Sequence, residues 1–285
     1  MASDPISIWI LQLDEAPPDR IGALHRYGML LDEAEWHHAM SYADAGAGLQ
    51  HIHGRALLRV MLRERLPAWT GCGVGMTSAY RLTRSTRGKP VLTGRDGQGS
   101  VEFSLSHSGR FVACAMSLRR EVGFDIEAAE READYVRIAA RHFSAREFED
   151  LMARPEAQKR ARFLHYWTLK EAYLKACGTG LADRLERVGF ISDAGDRRIT
   201  LCDKDDALAD DKWGFNSFPR MPGCIAALCW RRKSSCLTPA IDIRMMDENE
   251  FVQLAQLGQA GNAARVLHAG RAKAPRLSLF RPTVF

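Results

Sequence analysis

The chain reads as a fold of mixed helices and strands laid out in two halves. Three observations carry this expectation. Short runs rich in β-branched and aromatic residues recur with side chains alternating at period two. Longer stretches between them place apolar residues every three or four positions and carry helix start and stop signals. The order of strand, helix and short strands runs once over about residues 1–120 and returns loosely over about 121–235, too weakly to establish a repeat. With 285 residues, 46% of them hydrophobic, the chain can bury a well-formed core and is too long for one average domain.

Residues 6–13 open the first half as a strand. The run is short, lies between Pro5 and Asp14 and has no basic leader, so it does not read as a signal peptide. Two helical stretches follow, separated at Gly46 and Gly48. The second, 49–66, carries Ile52, Ala56 and Val60 on one side and Arg55, Arg59 and Arg63 as a ridge on another, and Pro67 stops it. Arg59 and Arg63 are expected to face solvent. Strand-like runs follow at 76–82, 101–106 and 111–117, with His107 to Arg110 as the turn joining the last two.

The second half begins with a strand at 122–127 and a helix at 135–142. Ser144 and Glu147 then match a capping box. A long helix over about 160–177 stops at Gly178, a residue suited to the left-handed C-cap. Strands near Phe190 and at 198–201, 213–218 and 224–230 complete it. From Ser234 the pattern loosens. Residues 236–285 read as a basic C-terminal extension that folds back onto the surface or is partly disordered; from 251 onward it has no acidic residue.

Composition removes several function classes. No apolar run approaches the roughly 18 residues of a membrane-spanning helix, so no membrane role is expected. The seven cysteines are scattered without a C-x-x-C or zinc-ligand spacing, which favours free, mostly buried thiols and a reducing, cytoplasmic setting. Net charge is +5, and its placement says more than its size. No acid occurs between Arg65 and Arg95, where Arg81, Arg84, Arg87 and Lys89 cluster. That patch suits a phosphorylated ligand or an acidic partner. No nucleic-acid fingerprint or aromatic interleaving accompanies it, so nucleic acid is not an expected partner.

Two acidic motifs carry the chemistry. In Val122-Gly123-Phe124-Asp125-Ile126-Glu127 the two carboxylates are two apart on a strand and aim at one point. In Trp167-Thr168-Leu169-Lys170-Glu171-Ala172-Tyr173-Leu174-Lys175, Glu171 and Lys175 are one helical turn apart. Three carboxylates from two rigid elements make a hard-oxygen site suited to Mg²⁺ and phosphate chemistry. The bland alternatives are a solvated strand face and a surface Glu–Lys pair. Lys170 reads as a solvated neighbour.

With Gly88-Lys89-Pro90 and Phe103-Ser104-Leu105-Ser106-His107-Ser108-Gly109 upstream, and Gly178-Thr179-Gly180-Leu181 closing the last motif, the set resembles the 4′-phosphopantetheinyl transferases, within them the long, surfactin-synthetase-activating type. The motifs span about residues 50 to 181, and the layout extends to about 232. The resemblance implies an α+β fold: a pseudo-twofold pair of subdomains, each a small, mainly antiparallel sheet with helices, and the active site in the cleft between them. Residues 1–120 would form the coenzyme A side, and 121–235 the metal and catalytic side.

The reaction implied is transfer of the phosphopantetheine arm of coenzyme A to a serine of an apo acyl or peptidyl carrier protein, releasing adenosine 3′,5′-bisphosphate. Asp125, Glu127 and Glu171 would hold Mg²⁺, with Glu171 also the preferred general base. Lys175 would neutralise a phosphate oxygen, or pair with Glu171. His107 and Ser106 would contact phosphate, aided by backbone donors of their turn. Lys89, Arg84 and Arg55 would meet the 3′-phosphate and adenine end. An acidic carrier and a monomer are expected. The chain departs from many relatives at Thr179, where a basic residue is common, at Phe124, where a smaller aliphatic is usual, and at Gln50 and His51, which stand where some relatives place an Arg. Two alternatives remain: another Mg²⁺-dependent phosphoryl or nucleotidyl transferase, for which no phosphate-binding loop motif is present, and a non-catalytic carrier-binding module, which loss of a metal carboxylate would mark.

Overall fold

A computed structural model describes residues 5–15, 19–65, 80–84, 89–94, 101–178, 185–192, 198–204, 209–233 and 238–257. The class is α+β. Among these residues β1 (Ile6–Gln12) pairs antiparallel with β5 (Phe111–Ser117) and parallel with β11 (Ile241–Asp247). β4 (Glu102–Ser108) completes a sheet of order β11-β1-β5-β4. A second sheet runs β6-β10-β9, all antiparallel, from β6 (Val122–Ala128), β9 (Trp213–Met221) and β10 (Cys224–Arg231). Two ribbons stand apart: β2 (Tyr80–Arg84) with β3 (Pro90–Gly94), and β7 (Val188–Ser192) with β8 (Ile199–Asp203).

The two larger sheets face each other. Ile6, Ile8 and Ile10 of β1 and Phe111, Ala113 and Ala115 of β5 meet Val122, Phe124 and Ile126 of β6 and Ala226 and Leu228 of β10. On the outer face of the first sheet, Trp9, Leu11, Val112 and Cys114 pack with Ile52, Ala56 and Val60 of α3 (Ala45–Arg65). On the outer face of the second, Ile225, Ala227 and Cys229 pack with Leu169, Ala172 and Tyr173 of α6 (Glu156–Cys177). Burial on both faces explains why β1, β5 and β10 read as near-continuous apolar runs. Fully burying one such side chain contributes about 1.5–3 kcal/mol.

Around α3 lie α1 (Arg20–Tyr27) and α2 (Glu33–Ser41). Gly46 and Gly48 do not separate two helices: both lie in the first turn of α3, which starts after Asp44, whose carboxylate accepts from the Ala47 N–H at 2.7 Å. Gly48 instead permits close packing, because a Cβ there would sit 2.6 Å from the Ala39 carbonyl. The arginine ridge faces inward. Arg59 is fully buried against Glu35 and Asp32, and Arg63 donates to the carbonyls of Leu254 and Ala255. Those carbonyls end α8 (Glu248–Leu257), where helix C-terminal oxygens lack intrahelical donors.

α8 and β11 also correct the surface appendage expected beyond 236. Phe251 is fully buried beside Tyr27, and Met246 and Ala255 join the same core. Residues from 258 onward lie outside the described residues, as does the first part of the strand expected at 76–82. The second half follows its expected elements closely. α4 (Tyr135–His142) and α5 (Ala145–Met152) appear, the latter with the Ser144/Glu147 capping box. α6 ends at Gly178, whose φ of 67° lets its N–H cap the Leu174 and Lys175 carbonyls. A short α7 (Ala209–Lys212) precedes β9. Cys114, Cys202, Cys224 and Cys229 are free thiols. No helix among the described residues is long and apolar enough to cross a membrane.

Candidate active site

β6 sets the site because its two faces do different work. Val122, Phe124, Ile126 and Ala128 enter the core between the sheets, so Gly123, Asp125 and Glu127 face α6. Gly123 is the contact point: a Cβ there would fall 1.9 Å from the Ala172 carbonyl oxygen and 2.4 Å from the Ala176 nitrogen. Backbone therefore meets backbone, and Glu171 and Lys175 of α6 arrive beside Asp125. The solvated-strand and surface-pair alternatives fail here, since Asp125, Glu127 and Glu171 are only 5%, 6% and 4% exposed.

Lys175 pairs with Asp125 rather than Glu171. Its Nζ lies 2.7 Å from Asp125 Oδ1 and 2.8 Å from Ser106 Oγ, and it also donates to the Phe124 carbonyl. Glu127 accepts from Ser108 Oγ through one oxygen and from Arg131 through the other. Among the described residues Asp125 Oδ2 and Glu171 Oε1 are buried without a hydrogen-bond partner. Burial pushes the Glu171 carboxyl up to about 8; Asp125 and Glu127 repel its charge, while Lys175 and Arg131 partly offset them. Glu127 is raised by burial and by Asp125, against Ser108, Arg131 and Lys175.

These groups fit a divalent cation by chemistry rather than by closed geometry. Among the described residues no three His, Cys, Asp or Glu side chains converge as a ready metal cage. Lys175 and Arg131 meet Asp125 and Glu127, but two orphaned oxygens, Asp125 Oδ2 and Glu171 Oε1, remain among three carboxylates, and hard oxygen donors suit Mg²⁺.

The residues expected on coenzyme A are distributed unevenly. Ser106 is at the centre, bonded to Asp125, Lys175 and the Ile126 N–H. His107 is in β4, paired with Val112, and not in a turn; the turn is confined to Gly109 and Arg110, with Gly109 at φ 54°. The backbone-donor cradle expected around His107 is thus replaced by a strand. Its imidazole is exposed at the sheet edge, and its pKa is lowered first by desolvation and then by Lys175, with Asp125 opposing. Lys89 Nζ lies 3.1 Å from Glu102, and its aliphatic stem passes over Gly178. Arg55 lies 3.8 Å from Glu35, toward α2. The side chain of Arg84, together with Gly88 and Thr179, lies outside the described residues.

Lys170 corrects its expected exposure. It is fully buried, with Nζ 2.9 Å from Glu147 and donating to the Leu185 and Val188 carbonyls. Sequence reasoning also missed Ser108 and Arg131 as partners of Glu127. The alternation Ser104, Ser106, Ser108 was the available signal for the first, and the four-residue spacing from Glu127 for the second.

Comparison with known proteins points to one family. A sequence model of the 4′-phosphopantetheinyl transferase superfamily matches residues 121–216, which carry β6 and α6. The chain is 32% identical over 188 residues to the 4′-phosphopantetheinyl transferase HetI of Nostoc sp., covering 66% of this chain and 74% of that protein. It is 34% identical over 105 residues to the 4′-phosphopantetheinyl transferase Sfp of Bacillus subtilis, covering 37% and 44% of the two chains. Human L-aminoadipate-semialdehyde dehydrogenase-phosphopantetheinyl transferase is 29% identical over 147 residues, covering 48% and 45%.

Proposed function

Since the chain belongs to the 4′-phosphopantetheinyl transferase superfamily, in its long form, and is an enzyme of that kind, we propose that it moves the phosphopantetheine arm of coenzyme A to a serine of an apo carrier protein in a Mg²⁺-dependent reaction. The observation that supports this most is the buried meeting of Asp125, Glu127 and Glu171 with Lys175. In this reading the serine oxygen bonds to the β-phosphorus of coenzyme A. The phosphoanhydride bond breaks, and adenosine 3′,5′-bisphosphate leaves. Bound at the three carboxylates, Mg²⁺ would draw charge from the pyrophosphate oxygens.

The chain's own groups divide the remaining work. Lys175, already between Ser106 and Asp125, is placed to turn its ammonium to a phosphate oxygen. Glu171 accepts the serine proton: a bound cation would hold it ionised and so able to take a proton, whereas in the metal-free site burial pushes its carboxyl up to about 8. Ser106 and His107 line the phosphate path. Lys89, with Arg84 and Arg55, serves the 3′-phosphate and adenine end. The reading includes two related halves, 1–120 and 121–235, with β11 and α8 joining the sheet and core of the first. Its support is the parallel placement of α3 on one sheet and α6 on the other. A monomer acting in the cytoplasm on an acidic carrier completes it.

The test is incubation with coenzyme A, Mg²⁺ and an apo carrier, followed by the mass of the carrier and detection of adenosine 3′,5′-bisphosphate. Asp125→Ala is expected to abolish transfer with an unchanged circular dichroism spectrum. Transfer at the wild-type rate by that variant, or full transfer in excess chelator, overturns the metal assignment.

A further inference from the structure

β6 is an edge strand of its sheet, and edge strands leave alternate backbone N–H groups without a ladder partner. Here the neighbour is β4 of the other sheet, and serine hydroxyls take the place of a backbone ladder. The N–H groups of Phe124, Ile126 and Ala128 donate to the Oγ atoms of Ser104, Ser106 and Ser108 at 3.0, 3.3 and 3.1 Å. Each amide occupies a serine lone pair, so each hydroxyl proton must point elsewhere. Ser104 sends it to the Phe124 carbonyl at 3.3 Å, Ser106 to Asp125 Oδ1 at 2.7 Å, and Ser108 to a Glu127 oxygen. The same rail that joins the sheets therefore aims protons at both β6 carboxylates.

We infer that Ser108 is a positioning residue for Glu127: its hydroxyl, oriented by the Ala128 amide, fixes the carboxylate in the pose that receives a divalent cation. This inference rests on the metal reading above and extends it to a residue that does not itself meet the cation. Arg131, the other partner of Glu127, is 43% exposed at its side chain, so a cation that displaced it would leave its guanidinium in water. Ser108 is buried and is tied to backbone, so it stays. A carboxylate has about four lone-pair sites. With the serine holding one, an unobstructed site remains on each oxygen once Arg131 withdraws.

The experiment measures Mn²⁺ binding to the full chain by electron paramagnetic resonance, alongside thermal melting. Ser108→Ala is expected to weaken Mn²⁺ binding about 10- to 100-fold, as loss of a group supporting a metal ligand does. Ser104→Ala removes the same kind of sheet contact without touching a carboxylate. It is expected to lower the melting temperature comparably and leave Mn²⁺ affinity unchanged. Ser108→Thr, which keeps the hydroxyl, is expected to restore binding. Should the alanine variant not fold, Ser108→Cys, with its weaker donor, gives the same contrast. Wild-type Mn²⁺ affinity in Ser108→Ala or Ser108→Cys, or equal weakening in Ser104→Ala, overturns the inference alone. Absence of Mn²⁺ binding by the wild-type chain removes the metal reading itself.

Discussion

Raising the pH is expected to strengthen divalent-cation binding through Glu171. Without metal, burial and the charges of Asp125 and Glu127 hold this carboxyl protonated up to about pH 8. A cation needs the ionised form, so binding must expel the proton. Below pH 8 the apparent affinity then rises with pH, and above it levels off. With one competing proton and a midpoint of about 8, moving from pH 6.5 to 8.5 strengthens binding about 25-fold. At pH 7 about 0.9 proton leaves per ion from this group. Glu127, raised in the same direction, adds to the slope. Titration calorimetry in two buffers of different ionisation enthalpy counts the protons. Glu171→Gln should remove that share of the proton release and flatten the upper part of the slope. An unchanged slope in that variant refutes the argument.

The sign carries over to stability. A carboxyl whose folded-state pKa is raised above the ordinary value of 4.5 holds a proton that the unfolded chain has already released. Metal-free protein therefore loses stability as pH climbs from about 4.5 through about 8. Melting temperatures across that window should fall for the wild type and fall less for Glu171→Gln.

Gly123→Ala places a Cβ against backbone atoms of Ala172 and Ala176, so α6 must back away from β6. A loss of about 1–3 kcal/mol by denaturant titration, with transfer activity reduced further than stability alone explains, is expected. Lys170→Met strands the fully buried Glu147 carboxylate without its cation and should destabilise by about 3–5 kcal/mol in the same assay. Adding Glu147→Leu should recover only part, because Glu147 also accepts from the Ser144 and Phe190 amides. Deleting residues 241–285 removes the parallel partner of β1 and the buried Phe251, and should prevent soluble folding.

Much of the fold was legible where local signals were strong. The capping box before α5, the glycine after α6, the apolar run of β5 and the period-two run of β6 need no distant partner to be read. Several of the failures share one cause, a partner remote in sequence. Arg59 looks like part of a solvent-facing ridge until Glu35 is placed beside it. β11 escaped because an edge strand with Asp242 and Arg244 lacks a continuous apolar pattern; β1 across the sheet gives it its place. In the site, Asp125 and Glu127 were legible because a strand repeats every two residues. Of the β4 serines only Ser106 is expected to contact phosphate, and Ser104 and Ser108 carry no expectation, since only the adjacency of β4 and β6 shows all three capping edge amides.

The two lysines of the α6 motif make the sharpest case. Lys170 and Lys175 are chemically identical, and the helical repeat alone sets them on different sides of α6. Lys170 goes to Glu147 and the carbonyls of Leu185 and Val188 in the core, while Lys175 goes to Asp125 and Ser106 in the site. Their separation fixes the rotation of the helix. Turning α6 enough to withdraw Glu171 from β6 would drag a buried ammonium off its partners, which costs several kcal/mol. Sliding it would break the backbone contact at Gly123. The orientation of Glu171 is thus set by a buried ion pair on one side and a missing side chain on the other. Apolar packing alone, which tolerates small rotations more readily, would hold the carboxylate less firmly.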